Sequence, residues 1–362
     1  MSAHCSCFLL FDECHKLVKD ADYRNNITLP IDDFFKFDQK ALVSATPIEL
    51  NDPRFKEQNF KMIEIQPTFD YKKELWLHHT NNTLQALKTV LSKLDNEEAA
   101  PLPICVFINS TDIIYSLMKQ LDLLEDSAVF CAPKSVDKLK KNRFCNVYEE
   151  WNKDKMKRYN FSKSRFFNAV DMELEEQPHV IMLTDVYFAE HTMIDPYTDT
   201  IQIVGRFRNG VSSITYISNT KKGLPQRSKE EIKGYLICSK EIYRTMKNFY
   251  DCATDRASRD AYRAALESLP FNRMLDRNGR ENWFAIDNYM DEELMKNYFY
   301  DENSLYKAYD NCDSFIVYHA GYYCPLGDSE RLKRENKSQS IKDKRKEIVR
   351  QLEMLGDCVT EM

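Results

Sequence analysis

Short apolar runs punctuate the chain: 7–11 (CFLLF), 41–43 (ALV), 61–65 (KMIEI), 104–108 (ICVFI), 179–183 (HVIML) and 214–217 (ITYI). Runs this short, rich in Val, Ile and Phe, predict buried strands rather than helices. Between them, 83–94 and 111–124 carry apolar residues at three- and four-residue intervals and predict helices. The alternation is the rhythm of a parallel sheet covered by helices. The stretch 95–103 (DNEEAAPLP) reads as a loop ahead of a buried strand. Beyond about residue 225 the sequence becomes aromatic-rich and mostly helical. There Asp276-Arg-Asn-Gly-Arg280 reads as a turn between short strands.

Length and charge narrow the picture. The 362 residues allow two or three domains, and 43% hydrophobic with 30% charged residues is an ordinary globular balance. No run of 18 apolar residues exists, and the start lacks a basic region before its apolar run, so neither a membrane span nor a secretory signal is expected. Net charge is −6, which leaves nucleic-acid binding to local patches. One such patch is 133–165, with eleven Lys/Arg against four Asp/Glu. Within it, Lys153, Lys155, Lys157 and Arg158 beside Trp151 suit phosphate neutralisation plus base stacking; an equally good reading is a solvated insertion between strands. The stretch 331–350 is also basic, nine residues against three, and reads as a solvated helix face around Lys342, Lys344, Arg345 and Lys346.

Glycine excludes more than charge does. Only 8 are present, and none precedes Gly205. Phosphate-cradling motifs that need glycine are therefore absent from the first half. The later pair Gly205 and Gly210 has Val211 where such a loop requires Lys. The 11 cysteines are scattered without a C-x-x-C, which disfavours a disulfide framework or zinc ribbon and points to a reducing, cytoplasmic setting. His4, Cys5, Cys7, Cys14 and His15 cluster in sequence, but a strand through 7–11 would turn neighbouring side chains to opposite faces.

Candidate chemistry begins where the first strand ends. Phe11 is followed by Asp12-Glu13-Cys14-His15. A carboxylate at a strand's carboxyl end can hold Mg²⁺ while its neighbour polarises an attacking water. Ser44-Ala45-Thr46-Pro47 follows the second apolar run, 32 residues after Asp12. Then come ICVFINS at 104–110, HVIMLTD at 179–185 and QIVGRFR at 202–208.

In this order the stretches resemble the motifs of superfamily-2 helicases, the DEAD/DEAH-like ATP-dependent nucleic-acid translocases. FDECHK resembles motif II, VSATP motif III, VFINS motif IV, LTDVYFAE motif V and QIVGRFRNG motif VI. The resemblance implies a RecA-like α/β fold with ATP and Mg²⁺ as cofactors and DNA or RNA as partner. It implies Asp12 as the Mg²⁺ ligand and Glu13 as general base. It implies that His15 couples the ATP site to the facing domain, and that Ser44 and Thr46 link hydrolysis to strand movement. Gln202, Gly205, Arg206 and Arg208, with Thr184 and Asp185, would face the nucleotide. The sequence departs from the pattern in three places. Motif I is missing, Asn209 stands where the second motif VI arginine usually falls, and His191 follows Glu190 where glycine is usual.

The expected organisation is a partial first RecA-like domain over 1–70, a complete second one over 71–222, and an accessory α+β region over 223–362. The expected function is the C-terminal part of an ATP-dependent helicase, truncated or split. Its P-loop would come from a separately encoded N-terminal RecA-like domain, so this chain alone would not bind ATP tightly. The alternative is a non-catalytic, helicase-derived binding module. A G-x-x-x-x-G-K-[ST] motif encoded just upstream would separate the two.

Overall fold

The computed structural model describes residues 7–21, 30–97, 101–167 and 170–328. His4, Cys5 and the basic stretch 331–350 lie outside the described residues. The chain opens with β1 (Phe8–Phe11), α1 (His15–Lys19), α2 (Ile31–Phe34), β2 (Gln39–Leu42) and α3 (Pro53–Glu57). A run of alternating elements follows: β3 (Lys73–Thr80), α4 (Thr83–Glu97), β4 (Ile104–Phe107), α5 (Thr111–Gln120), β5 (Ser127–Phe130) and α6 (Pro133–Lys141). Next are β6 (Val147–Tyr148), β7 (Tyr159–Ser162), β8 (His179–Thr184), α7 (Asp199–Gly205) and β9 (Ser213–Ser218). Four helices and a strand complete the description: α8 (Lys229–Cys252), α9 (Arg256–Ser268), α10 (Trp283–Lys296), α11 (Glu302–Asp310) and β10 (Phe315–Tyr322).

Two compact units result. One combines Met1–Tyr71 with Gly223–Tyr300, and the other Lys72–Lys222 with Asp301–Met362. The larger unit carries an eight-stranded sheet, ordered β10-β3-β9-β8-β4-β7-β5-β6 and parallel throughout. This is the parallel α/β class expected for a RecA-like sheet. Its central strand β4 is buried along its whole length. Ile104, Val106 and Ile108 join a core with Leu87, Ile114 and Phe161, while Phe107 on the other face meets Phe167 and Phe207 edge-on. Burial on both faces explains why β4 reads as an uninterrupted apolar run.

The smaller unit is mostly helical. Its β1 and β2 form a two-stranded parallel sheet, with Phe8 opposite Gln39 and Phe11 opposite Leu42. Leu9, Phe11 and Leu42 pack on a core built by Leu17, Val18 and Phe34 with Ile232, Phe271 and Phe284 from the far end of the unit's sequence. Phe8 and Leu10 point the other way and are exposed. The long helix α8 starts at a capping box, in which Ser228 and Glu231 satisfy each other's backbone N–H groups.

Several expectations are corrected. The region 223–362 is no separate body: 223–300 packs with the first 71 residues, and α11 with β10 joins the large sheet. The segment 133–165 is not an insertion, because it supplies α6, β6 and β7. The run 61–65 is not a strand; Met62, Ile63 and Ile65 are 83%, 83% and 89% exposed, and no strand among the described residues pairs with them. Residues 95–97 belong to the end of α4 rather than to a loop. The turn at 276–280 is present, closed by an antiparallel bridge between Leu275 and Glu281.

Among the described residues, β1 and β2 pair only with each other and have one exposed apolar face. Few buried neighbours mean cheap local opening. Amide hydrogen exchange should therefore be fast in β1 and β2 and slow in β4, β8 and β9. Equal protection in both sets would contradict this account.

Candidate functional site

In the smaller unit the motif residues after β1 and β2 come together. Parallel pairing carries on past the strand ends, where Val43 N–H donates to the Phe11 carbonyl at 2.9 Å and Cys14 N–H to Val43 at 3.0 Å. This stitches the loop 12–15 to the loop 43–47. His15 Nδ1 then lies 2.9 Å from Ser44 Oγ and 3.3 Å from Glu13 Oε2. Ser44 Oγ also accepts the Thr46 N–H at 3.1 Å. His15 and Thr46 are buried, Glu13 and Ser44 are half-buried, and Asp12 is exposed.

Glu13 sits at φ 52°, in the left-handed region that a side chain with a Cβ enters at a cost of about 1 kcal/mol. Its N–H donates back to Asp12 Oδ1 at 2.8 Å. Local strain of this kind collects at functional sites. Asp12 offers one carboxylate at a strand's carboxyl end. That suits Mg²⁺, which binds through one or two carboxylates plus substrate phosphates rather than in a full protein cage.

The larger unit gathers the residues of the stretch 202–208. Gln202 is buried on α7, and its side-chain oxygen accepts from Arg206 Nη2 at 2.8 Å. Arg206 and Arg208 both reach Asp171, at 3.3 Å and 2.9 Å. Gly205 is exposed, and a Cβ there would meet nothing within 4 Å, so no close backbone approach demands glycine at that point.

Thr184 and Asp185, expected to face a nucleotide, have their side chains committed to the loop beyond β8. Thr184 Oγ1 donates to the Thr192 carbonyl at 2.8 Å. Asp185 Oδ1 accepts the N–H groups of Tyr187 and Phe188, each at 3.2 Å, and the Asn219 amide at 2.8 Å. Both residues are fully buried; Asp185 holds the Tyr187 and Phe188 backbone, and Thr184 ties Thr192 and Tyr216. Tyr187 and Phe188 are 36% and 40% exposed.

The basic patch divides. Arg158 is tied to Asp95 at 2.7 Å and to the Leu102 carbonyl, and Lys157 to the Glu125 carbonyl. These two are spent on holding strand β7. Lys153 remains exposed, 3.7 Å from an exposed Glu175, and Lys155 lies 5.7 Å from the Tyr148 ring centre. Trp151 is half-buried in a cleft it shares with Tyr148, Lys140 and Lys155.

Within the same basic patch, sequence reasoning did not single out Lys163. Lys163 follows β7 at the carboxyl edge of the sheet, 3.4 Å from Ser135 Oγ, which also accepts from Thr111 at 3.0 Å. Burial lowers the Lys163 pKa, with Lys138 adding to the effect. The starts of α5 and α6 lie at this edge, and Asn109 there donates to the His191 carbonyl at 3.0 Å. Helix N-termini carry partial positive charge, so this edge favours anions. The sequence sign was its place in the basic patch 133–165; its position just past β7, at the carboxyl edge, was not legible.

The units thus define an α/β protein whose motif-bearing loops leave the carboxyl ends of parallel strands. No protein-family model matches the chain, and no curated protein matches it. Among solved structures the chain is similar to "S. cerevisiae Dbp5 bound to RNA and ADP BeF3", with 12% identity and a TM-score of 0.37. The match covers 80% of this chain and 64% of that one, so this chain spans less than two thirds of that chain's length.

Asp287 on α10 anchors the loop that follows the Ser44–Thr46 turn. It accepts from the Asn51 backbone at 3.0 Å and the Asn51 side chain at 2.7 Å. Burial pushes its carboxyl up to about 6, against the pull of those two hydrogen bonds. A folded value above the unfolded one means that the folded state binds more protons in between. The stability this carboxyl contributes is therefore present below its ordinary 3.8 and lost as pH rises through about 6. Urea unfolding of wild type and Asp287→Asn from pH 4 to 8 should show the difference moving in the variant's favour by about 2–3 kcal/mol. A pH-independent difference would contradict the assignment.

Proposed function

We propose that the chain is the C-terminal part of an ATP-dependent nucleic-acid helicase or translocase, in truncated or split form. One observation supports the reading above all. The stretches that resemble motifs II, III, IV and V, in chain order, each lie at the carboxyl end of a parallel strand: β1, β2, β4 and β8. Open α/β sheets place their ligands at that edge. The stretch resembling motif VI lies on α7 and just beyond it, where it carries two guanidinium groups.

In this reading Asp12 holds Mg²⁺, which would offset charge on the phosphoryl oxygens. Glu13 accepts the proton of the attacking water, with His15 and Ser44 fixing its surroundings. Arg206 and Arg208 stabilise negative charge as the phosphoryl group transfers. No glycine precedes Gly205, so residues 1–204 do not supply the glycine-rich cradle for the β- and γ-phosphates. Nucleic acid runs along the carboxyl edge of the large sheet. There Lys163 and the starts of α5 and α6 take phosphates, and Tyr187 and Phe188 stack bases.

Two measurements test this. The chain alone, with Mg-ATP and single-stranded oligonucleotide, should show negligible turnover; about 1 s⁻¹ or more would contradict a missing phosphate cradle. Oligonucleotide binding followed against salt separates the contacts. Lys163→Gln should flatten the log–log salt slope by about 0.7, the loss of one phosphate contact on a single strand. Tyr187→Ala should weaken binding about tenfold with the slope unchanged. If neither variant differs from wild type, nucleic acid does not use this edge.

A further inference from the structure

Two arginines converge on one carboxylate in the larger unit. Arg206 Nη1 lies 3.3 Å from Asp171 Oδ1, and Arg208 Nη2 donates to both Asp171 oxygens at 2.9 Å. The geometry is built rather than incidental. Met172 N–H donates to the Arg206 carbonyl at 2.8 Å, and Arg208 N–H to the Met172 carbonyl at 3.3 Å. Asn209 donates to the Leu174 carbonyl at 2.8 Å, and Gln177 donates back to the Asn209 carbonyl at 2.9 Å. Gly210 makes this clamp possible: at φ +89°, a Cβ would come within 2.9 Å of Gln177 Nε2. The segment 171–177 is thereby laced along 206–210, and Asp171 is delivered to the guanidinium pair.

The two arginines are not equivalent. Arg206 has a side chain only 12% exposed, and Gln202 fixes it through both its carbonyl and its side-chain oxygen. Arg208 is 50% exposed and Asp171 46%. A fixed cation and a movable one therefore share an anion that is open to solvent. Such an anion can be exchanged for another of suitable shape and greater charge. A phosphoryl group has both, because its oxygens accept from two guanidinium forks at once.

We propose that Asp171 is a built-in competitor for the phosphoryl group, occupying Arg206 and Arg208 until a phosphate-type anion displaces it. This rests on the reading above that the arginine pair faces a phosphoryl group. It adds a specificity-determining residue: only an anion that outbids a tethered carboxylate gains the pair. Displacement frees Asp171 to solvent and lets Arg208 swing, while Arg206 stays in place on α7.

Tripolyphosphate binding to the full chain, followed by titration calorimetry at low salt, tests the proposal without nucleic acid or hydrolysis. Removing the competing charge in Asp171→Asn should tighten binding about three- to tenfold, the worth of two partly exposed ion pairs. Asp171→Glu should restore wild-type affinity. Arg208→Gln in the Asp171→Asn background should abolish the gain. Equal or weaker binding by Asp171→Asn, or no binding by either protein, overturns the proposal. A purely structural role for Asp171 would weaken binding, because the arginines would lose their positions. Failure of the helicase reading shows elsewhere, as oligonucleotide binding indifferent to Lys163 and Tyr187, and leaves this titration decisive for Asp171.

Discussion

Parallel strands all run one way, so their carboxyl ends arrive at a single edge and each return crosses a face of the sheet. That geometry shapes the larger unit. Eight parallel strands need apolar cover on both faces, which α4, α5 and α6 help to supply, and the polar loops are left at the two edges. The loops beyond β4, β7 and β8 therefore emerge side by side, although 109–112, 163–165 and 185–192 are far apart in sequence. Asn109 bonding to His191 is a direct result of this convergence.

Charge in the chain sorts into two kinds once burial is known. Arg54 pairs with Asp32, Arg158 with Asp95, and Arg227 with the buried Glu293; these pairs hold segments that are distant in sequence. Their value lies in positioning as much as in net stability, since exposed pairs contribute about 0–1 kcal/mol each. Lys163, Lys153, Lys155 and Arg208 differ: each has a cation that solvent or a ligand can reach. An even count of basic residues along the sequence does not separate these kinds. The patch at 153–158 loses Lys157 and Arg158 to structure, while Lys163, five residues on, gains importance from its place at the carboxyl edge.

Strands with continuous apolar runs were the legible ones: β4, β8 and β9 are covered on both faces, whereas β1 is apolar on both faces but covered on only one. The runs through β4, β8 and β9 stand out because buried parallel strands are continuous in apolar residues. Strand β3 (KELWLHHT) escaped because its residues alternate between core and surface, and β10 escaped for the same reason, its Tyr318 stacking on Trp76 across the sheet. Strand β7 (YNFS) is polar yet fully buried, with Asn160 and Ser162 inside. At 61–65 the apolar residues are present and the partner strands are not, so propensity alone formed nothing. Of the candidate site, Glu13, His15, Ser44 and Thr46 could be grouped from sequence because each follows a recognisable strand. Asp171 could not, since it meets Arg206 and Arg208 across 35 and 37 residues through a backbone clamp that no local pattern announces. The buried Thr184 and Asp185 were legible as residues but not as roles: they brace a loop whose exposed rings are Tyr187 and Phe188.

The central claim is that the carboxyl edge of the large sheet is the working edge. Photo-cross-linking with a single-stranded oligonucleotide carrying photoreactive bases, followed by peptide mapping, tests it most directly. Cross-links should fall in 109–112, 163–165 and 185–192, with Tyr187 and Phe188 carrying adducts. Cross-links confined to the opposite edge, or to the 151–155 cleft alone, would contradict the claim.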